Sequence, residues 1–238
     1  ITADEARMRL AQVMGALAAD AGMPGALVPA AAVLSCVVPA LERPWKAALS
    51  RTCTGRVLTV GPGLKTGMPV HYDDPAEIGP DRIADAVAAR AVYGSPCIVI
   101  DLGTTTNIEV IDAHGTFVGG VIAPGLALGA RSLSAAAARL PQVEPSAPTH
   151  VIGRNTREAM RSGVVLGEVA RIDGMLDMVL AEMRSTKAAG EGDVPIVITG
   201  DDAEALAALV GHSLTVDDAL TLRGLAELYR INQKPRRA

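Results

Sequence analysis

Apolar residues recur at helical spacing at Met8, Leu10, Val13, Met14 and Leu17, between about Ala3 and Ala21. Thr2 followed three residues on by Glu5 has the pattern of a capping box, so a helix starts there. The run "GALVPAAAVLSCVVP" is too apolar and too β-branched for a surface segment and predicts a buried strand ending before Pro39. A helix in "LERPWKAALSR" and a short strand in "GRVLTVG" follow. "PDRIADAVAARAVYG" reads as a helix, with Pro80 in its first turn and Gly94 as its stop. The segment "CIVIDLGTTTNIEVIDAHGTFVGGVIAPG" then alternates as three strands, with residues 112–115 supplying the second turn. Helices are expected at about 126–139 and 155–183, then a flexible loop "STKAAGEGD", a strand "PIVITG" and helices around 203–210 and 221–231. This order predicts an α/β chain whose helices cover its sheets.

Composition narrows the function classes. The chain has 238 residues, enough for one large domain or two small ones with a substantial core. Apolar residues make up 49% but aromatics only 2%, which leaves little surface on which bases could stack. A net charge of −4 also argues against binding a phosphate backbone. No nucleic-acid partner is expected, and the basic tail "KPRRA" reads as a solvated end. Cys36, Cys53 and Cys97 are widely spaced, without a CxxC pair, as in a reduced cytoplasmic protein. The longest uncharged runs are broken by Pro and Gly, which argues against a membrane span, and no signal peptide is read. The chain opens "ITADEARM" without an initiator methionine, so a preceding segment is expected.

Three stretches carry candidate chemistry. In "DLGTTTN", Gly103 permits a positive φ and close backbone approach, and the N–H groups and hydroxyls of Thr104, Thr105 and Thr106 suit an anion. The same residues also make an ordinary β-turn with threonines paired across a ladder. Asp101 at the strand end either holds a cation or accepts turn N–H bonds. In "GPDR", Asp81 lies in the first turn of a helix, where the dipole and Arg82 favour a carboxylate able to accept a proton, although first-turn acids also serve stability alone. Tyr72 stands in the polar loop before it. In "IGRNTREAM", Asn155 and Glu158 form an N-cap pair that puts Thr156 at a helix N-terminus, a place suited to a carboxylate or carbonyl oxygen.

Taken together, "EIGPDRIADAVAA", "DLGTTTNIEV" beginning twenty residues after Asp81, "GGVIAPGLALGARSL", "LPQV" and "VIGRNTREAMRSG" resemble the type III pantothenate kinases, including the Bvg accessory factor proteins, from about residue 2 to Asn232. The resemblance implies the actin-like and sugar-kinase superfamily, in which two ribonuclease-H-like lobes close around ATP. The lobes would span residues 1–94 and 95–238, the first lacking its opening strands. It implies that ATP phosphorylates pantothenate to 4′-phosphopantothenate, the first step toward coenzyme A. Asp81 then matches the proton acceptor, and Gly79, Pro80 and Arg82 complete its substrate-contacting motif. Tyr72 and Thr156 match further substrate contacts, Asp101 the ligand of a potassium or ammonium ion, and Thr104, with Gly103 and Thr105 around it, the phosphate contact. Magnesium and a homodimer with a shared pantothenate pocket are implied as well.

The departures from the pattern lie on the nucleotide side. No Asp-x-Gly-Asn-Thr phosphate loop is present, Asn107 and Glu109 replace a threonine and an aspartate, and Asp85 stands where asparagine is usual. "ITGDD" replaces a Thr-Gly-Gly stretch, so that Asp201 and Asp202 bring negative charge toward a nucleotide. The rival expectation is therefore a catalytically impaired homologue that acts as a binding or regulatory protein.

Overall fold

The computed structural model describes residues 1–25 and 27–233. The basic tail at 234–238 lies outside the described residues. In chain order the elements are α1 (Ala3–Asp20), β1 (Ala32–Leu34), α2 (Pro39–Thr52), β2 (Val57–Thr59), α3 (Pro80–Tyr93), β3 (Cys97–Leu102), β4 (Thr105–Ile111) and β5 (Phe117–Pro124). They continue as α4 (Leu126–Ala136), α5 (Thr156–Arg161), α6 (Gly167–Ser185), β6 (Ile196–Gly200), α7 (Ala203–Ala207), β7 (Thr215–Val216) and α8 (Leu220–Ile231). These elements form two units, one of Ile1–Gly67, Asp74–Val87 and Thr221–Ala238, the other of Met68–Asp73 and Ala88–Leu220. No helix among the described residues is long and apolar enough to cross a membrane.

The first unit begins with the expected capping box: Thr2 Oγ1 accepts from the Glu5 N–H at 3.2 Å, and Glu5 Oε2 accepts from the Thr2 N–H at 2.6 Å. The inward stripe of α1 is Ala6, Leu10, Met14 and Ala18, whereas Met8, Val13 and Leu17 are exposed. Ala6 and Ala18 at the two ends of that stripe let α1 lie against α2. β1 and β2 pair in parallel, Ala32 beside Val57. β1 is three residues long and only half-buried, less than its apolar run implies, because Pro29 and Pro39 bracket it and a proline has no N–H to give a ladder. α8 rests on α3 backbone to backbone, since a Cβ at Gly224 would sit 1.9 Å from the Ala84 carbonyl oxygen.

The second unit is built on a five-stranded mixed sheet in the order β5-β4-β3-β6-β7. Its core lies on one face, where Ile98, Ile100, Leu102, Ile108, Val110, Ile196 and Ile198 pack with Val165, Val169, Ile172 and Leu176. The alternate positions Cys97 and Val99 are also buried, which explains why β3 reads as a continuous apolar run. The predicted turn at 112–115 is present: Asp112 Oδ1 accepts from the N–H groups of His114 and Thr116 at 2.9 and 2.8 Å. The single helix expected over 155–183 is instead α5 and α6 joined by a π turn at Ser162–Leu166.

Strand direction decides where chemistry can gather. β4 runs antiparallel to both β3 and β5, while β6 and β7 run parallel to β3. The C-terminal ends of β3, β5 and β6 therefore share one edge of the sheet, and Gly103, Gly125 and Gly200 stand there.

Candidate functional site

The connection between β3 and β4 is tight: the Gly103 N–H donates to the Thr105 carbonyl at 3.0 Å, and Leu102 pairs with Thr106 below it. Gly103 and Thr104 are exposed at its tip, and Thr105 is half-buried. Gly103 does not use the left-handed region, and a Cβ there would meet only the Thr105 oxygen at 3.9 Å. The close approach falls on its neighbours. A Cβ at Gly125 would sit 2.3 Å from the Gly103 oxygen, and the Gly125 N–H donates to the Thr104 oxygen at 3.1 Å. On the other side, Gly200 has φ +102°, and its Cβ would lie 2.1 Å from the Leu102 oxygen. Two glycines, one just after β5 and one ending β6, thus hold the turn closely.

The three threonines divide in role. Thr104 presents its side chain at the exposed tip, whereas Thr106 is buried and its hydroxyl donates to Glu168 Oε1 on α6 at 2.6 Å. Glu168 in turn pairs with Arg171, whose Nη2 donates to the Pro124 carbonyl at 2.6 Å. Asp101 is half-buried at the end of β3, opposite Asn107 on β4 and beside Thr199 on β6. Register puts all three on the same face of the sheet. Asn107 is buried, and its Oδ1 has no hydrogen-bond partner among the described residues. Glu109, two residues on, is fully buried on that face. Asp201 and Asp202 follow Gly200 at the same sheet edge, the first exposed and the second half-buried.

In the first unit, the Asp81 side chain folds back over the start of α3. Its Oδ1 accepts from the Arg82 N–H at 2.9 Å and would meet a Cβ at Gly79 at 2.5 Å, so Gly79 leaves room for the carboxylate. Pro80 opens the helix. Asp81 is half-buried, while Arg82 and Asp85 are buried one turn apart.

Tyr72 and Thr156 belong to the second unit, away from the threonine turn in sequence and in element. Tyr72 packs on Phe117 at the start of β5, with ring centroids 6.1 Å apart, and the segment before it pairs with that strand through the His71 N–H and the Phe117 carbonyl at 2.8 Å. Thr156 is exposed as the first residue of α5. Asn155 Oδ1 accepts from the Glu158 N–H at 3.0 Å, and Glu158 accepts from the Arg154 N–H at 2.9 Å. The Arg154 N–H first, and then the Asn155 side chain, hold the Glu158 carboxyl below its ordinary range.

The family model described as type III pantothenate kinase matches residues 1–178. The type III pantothenate kinase of Koribacter versatilis is 42% identical over 201 residues, covering 84% of this chain and 71% of that protein. Type III pantothenate kinase 2 of Symbiobacterium thermophilum is 40% identical over 235 residues, covering 98% and 84%. The chain belongs to the type III pantothenate kinase family. Among solved structures, a protein described as a Baf family transcriptional activator from Campylobacter jejuni has the same fold, with a TM-score of 0.55 and 22% identity over 82% of this chain and 80% of that one.

In this kinase family member, a transferase, four residues join the turn only through the fold: Gly125, Gly200, Glu168 and Arg171. Their signals were present. Gly125 and Gly200 each end a predicted strand, and Glu168 is an acid on the apolar stripe formed by Val165, Val169, Ile172 and Leu176.

Proposed function

We propose that this chain transfers the γ-phosphoryl group of ATP to the primary alcohol of pantothenate, giving 4′-phosphopantothenate and ADP, the first step toward coenzyme A. The observation that carries this reading is the family match over residues 1–178. The bond from the alcohol oxygen to phosphorus forms as the bond between phosphorus and the bridging oxygen of ADP breaks. Asp81 takes the hydroxyl proton. Its carboxylate is held open at a helix start by the Arg82 N–H, which supports that role. Such a transfer asks little covalent work of the protein, so positioning and charge neutralisation dominate.

Thr104 and the N–H groups of the Gly103–Thr105 turn hold the phosphates. The exposed hydroxyl at a turn fixed by Gly125 and Gly200 supports this assignment. Gly79, Pro80, Arg82, Tyr72 and Thr156 contact pantothenate. A monovalent cation, potassium or ammonium, fits at Asp101: its carboxylate faces Asn107, whose buried Oδ1 has no hydrogen-bond partner among the described residues, and hard oxygens of this kind suit such an ion. The ion would supply positive charge beside the phosphates. Magnesium would enter with the phosphates, needing few protein ligands of its own.

The two units would be the ribonuclease-H-like lobes of the actin-like superfamily, and the protein a cytoplasmic homodimer that binds neither nucleic acid nor membrane. The three free cysteines support a reducing compartment. The test is product analysis by mass spectrometry after incubating the full chain with ATP, magnesium, potassium and pantothenate. Equimolar ADP and phosphorylated pantothenate are expected. ADP formed at the same rate without pantothenate would overturn the assignment.

A further inference from the structure

We infer that Glu168 is a positioning residue for the phosphate turn, acting through Thr106 and Arg171; this rests on the reading that the Gly103–Thr105 turn receives the phosphates of ATP. Thr106 is 3% exposed and Glu168 4% exposed, so their 2.6 Å hydrogen bond lies inside the second unit, between β4 and α6. The other carboxylate oxygen pairs with Arg171. Arg171 Nη2 reaches the carbonyl of Pro124, the residue before Gly125. One carboxylate therefore ties down both strands that frame the turn: β4 two residues after Thr104, and β5 one residue before the glycine that packs on Gly103.

The chemistry of burial argues that this arrangement serves geometry. A buried carboxylate is often no more stabilising than a well-packed apolar residue of the same size, because it loses its hydration; Glu168 is in that position, while the Arg171 side chain stays 35% exposed. Thr106 and Glu168 point into the same apolar core that holds Ile108, Val110, Val165, Val169 and Ile172, where aliphatic side chains would pack readily. What an aliphatic replacement lacks is direction. A hydroxyl bonded to a fixed carboxylate sets the rotation and height of β4 at its first residues, and a turn of so few residues transmits that setting to Thr104. A shift of about 1 Å in a binding group is enough to cost a large factor in rate.

The experiment is steady-state kinetics on the full chain with each substrate varied separately, below the melting temperature of every variant. Thr106→Val is expected to raise the KM for ATP about five- to tenfold, with the KM for pantothenate unchanged, and Thr106→Ser to restore the ATP value. Glu168→Gln keeps a carbonyl acceptor for Thr106 but loses the charge pair with Arg171, and is expected to raise the ATP KM about two- to fivefold. If Thr106→Val does not fold, Glu168→Gln decides the matter alone. An unchanged ATP KM in the folded variants, while Thr104→Val raises it, overturns the positioning role and leaves the phosphate turn standing. An unchanged ATP KM in Thr104→Val overturns the phosphate-turn reading, and this inference falls with it.

Discussion

Replacing Gly125 by alanine should displace the Gly103–Thr105 turn, which we propose holds the phosphates, without touching a catalytic side chain. The added Cβ would lie 2.3 Å from the Gly103 oxygen, 2.8 Å from the Thr104 oxygen and 2.9 Å from the Thr104 carbonyl carbon, and every one of these atoms is backbone. Ordinary contact begins near 3.4 Å, so the turn must retreat by about 1 Å. Retreat also strains the 3.1 Å bond from the Gly125 N–H to Thr104 and the 2.9 Å bond from the Gly129 N–H to Gly125. Overpacking of this kind costs about 1–3 kcal/mol of stability. Moving a phosphate-binding group by about 1 Å should lower kcat/KM for ATP on the order of a hundredfold. The assay pairs thermal melting with kinetics in which ATP is varied at saturating pantothenate. Gly103→Ala is the control on stability, because its Cβ meets only one oxygen at 3.9 Å and its φ lies outside the left-handed region. Its melting temperature should stay near that of the unaltered chain. A Gly125→Ala protein with unaltered melting and unaltered kcat/KM for ATP would refute the reasoning.

If Thr104 contacts the phosphates as proposed, Thr104→Val deletes one hydroxyl contact and should weaken ATP binding by about ten- to a hundredfold, or about 1.5–3 kcal/mol, read by calorimetric titration with magnesium and potassium present. Burial pushes the Cys97 thiol up to about 12, so at pH 8 it should resist alkylation in the folded chain and react once denatured. Because the folded value lies above the ordinary 9.0, the contribution of Cys97 to stability is complete below pH 9 and declines as the pH rises toward about 12. Denaturant titrations across that window should lose about 1.4 kcal/mol per pH unit in the chain with Cys97, relative to Cys97→Ala. Light scattering at micromolar concentration should give twice the 24.4 kDa of one chain, and a monomer would count against a pantothenate pocket shared between copies.

The elements that could be read from the sequence are those with punctuation at their ends. Thr2 and Glu5 announce α1, Pro80 announces α3, and the residues at 112–115 close the β4-β5 turn in the way their side chains require. β7 escapes because two exposed residues, Thr215 and Val216, carry no period. The π turn at Ser162–Leu166 escapes because one inserted residue in a long apolar helix leaves the pattern almost unaltered. The opening helix was legible as a helix but not in its buried face, since alanines at Ala6 and Ala18 contribute close approach rather than hydrophobicity.

Legibility of the site follows the same division. The strand at Val99 is broken at Gly103 by a turn, as the glycine and threonines suggest, and Asp81 stands at a helix start as its Gly-Pro context requires. Which glycine bears the steric constraint was not legible, because Gly125 and Gly200 are brought to Gly103 and Leu102 only by the sheet order. Likewise, three consecutive threonines look equivalent in sequence, and only the pleat separates Thr106, turned into the core, from Thr104 at the tip.

The central claim is that the chain is a pantothenate kinase whose proton acceptor is Asp81, and Asp81→Asn tests it most directly through pantothenate-dependent ADP release. The substitution keeps the size of the side chain and an oxygen that can accept from the Arg82 N–H, so the fold should persist. Turnover should fall by roughly a hundredfold to ten-thousandfold, the range for removing a general base, while the melting temperature stays close to that of the unaltered chain. Turnover equal to that of the unaltered chain in the folded variant would contradict the account.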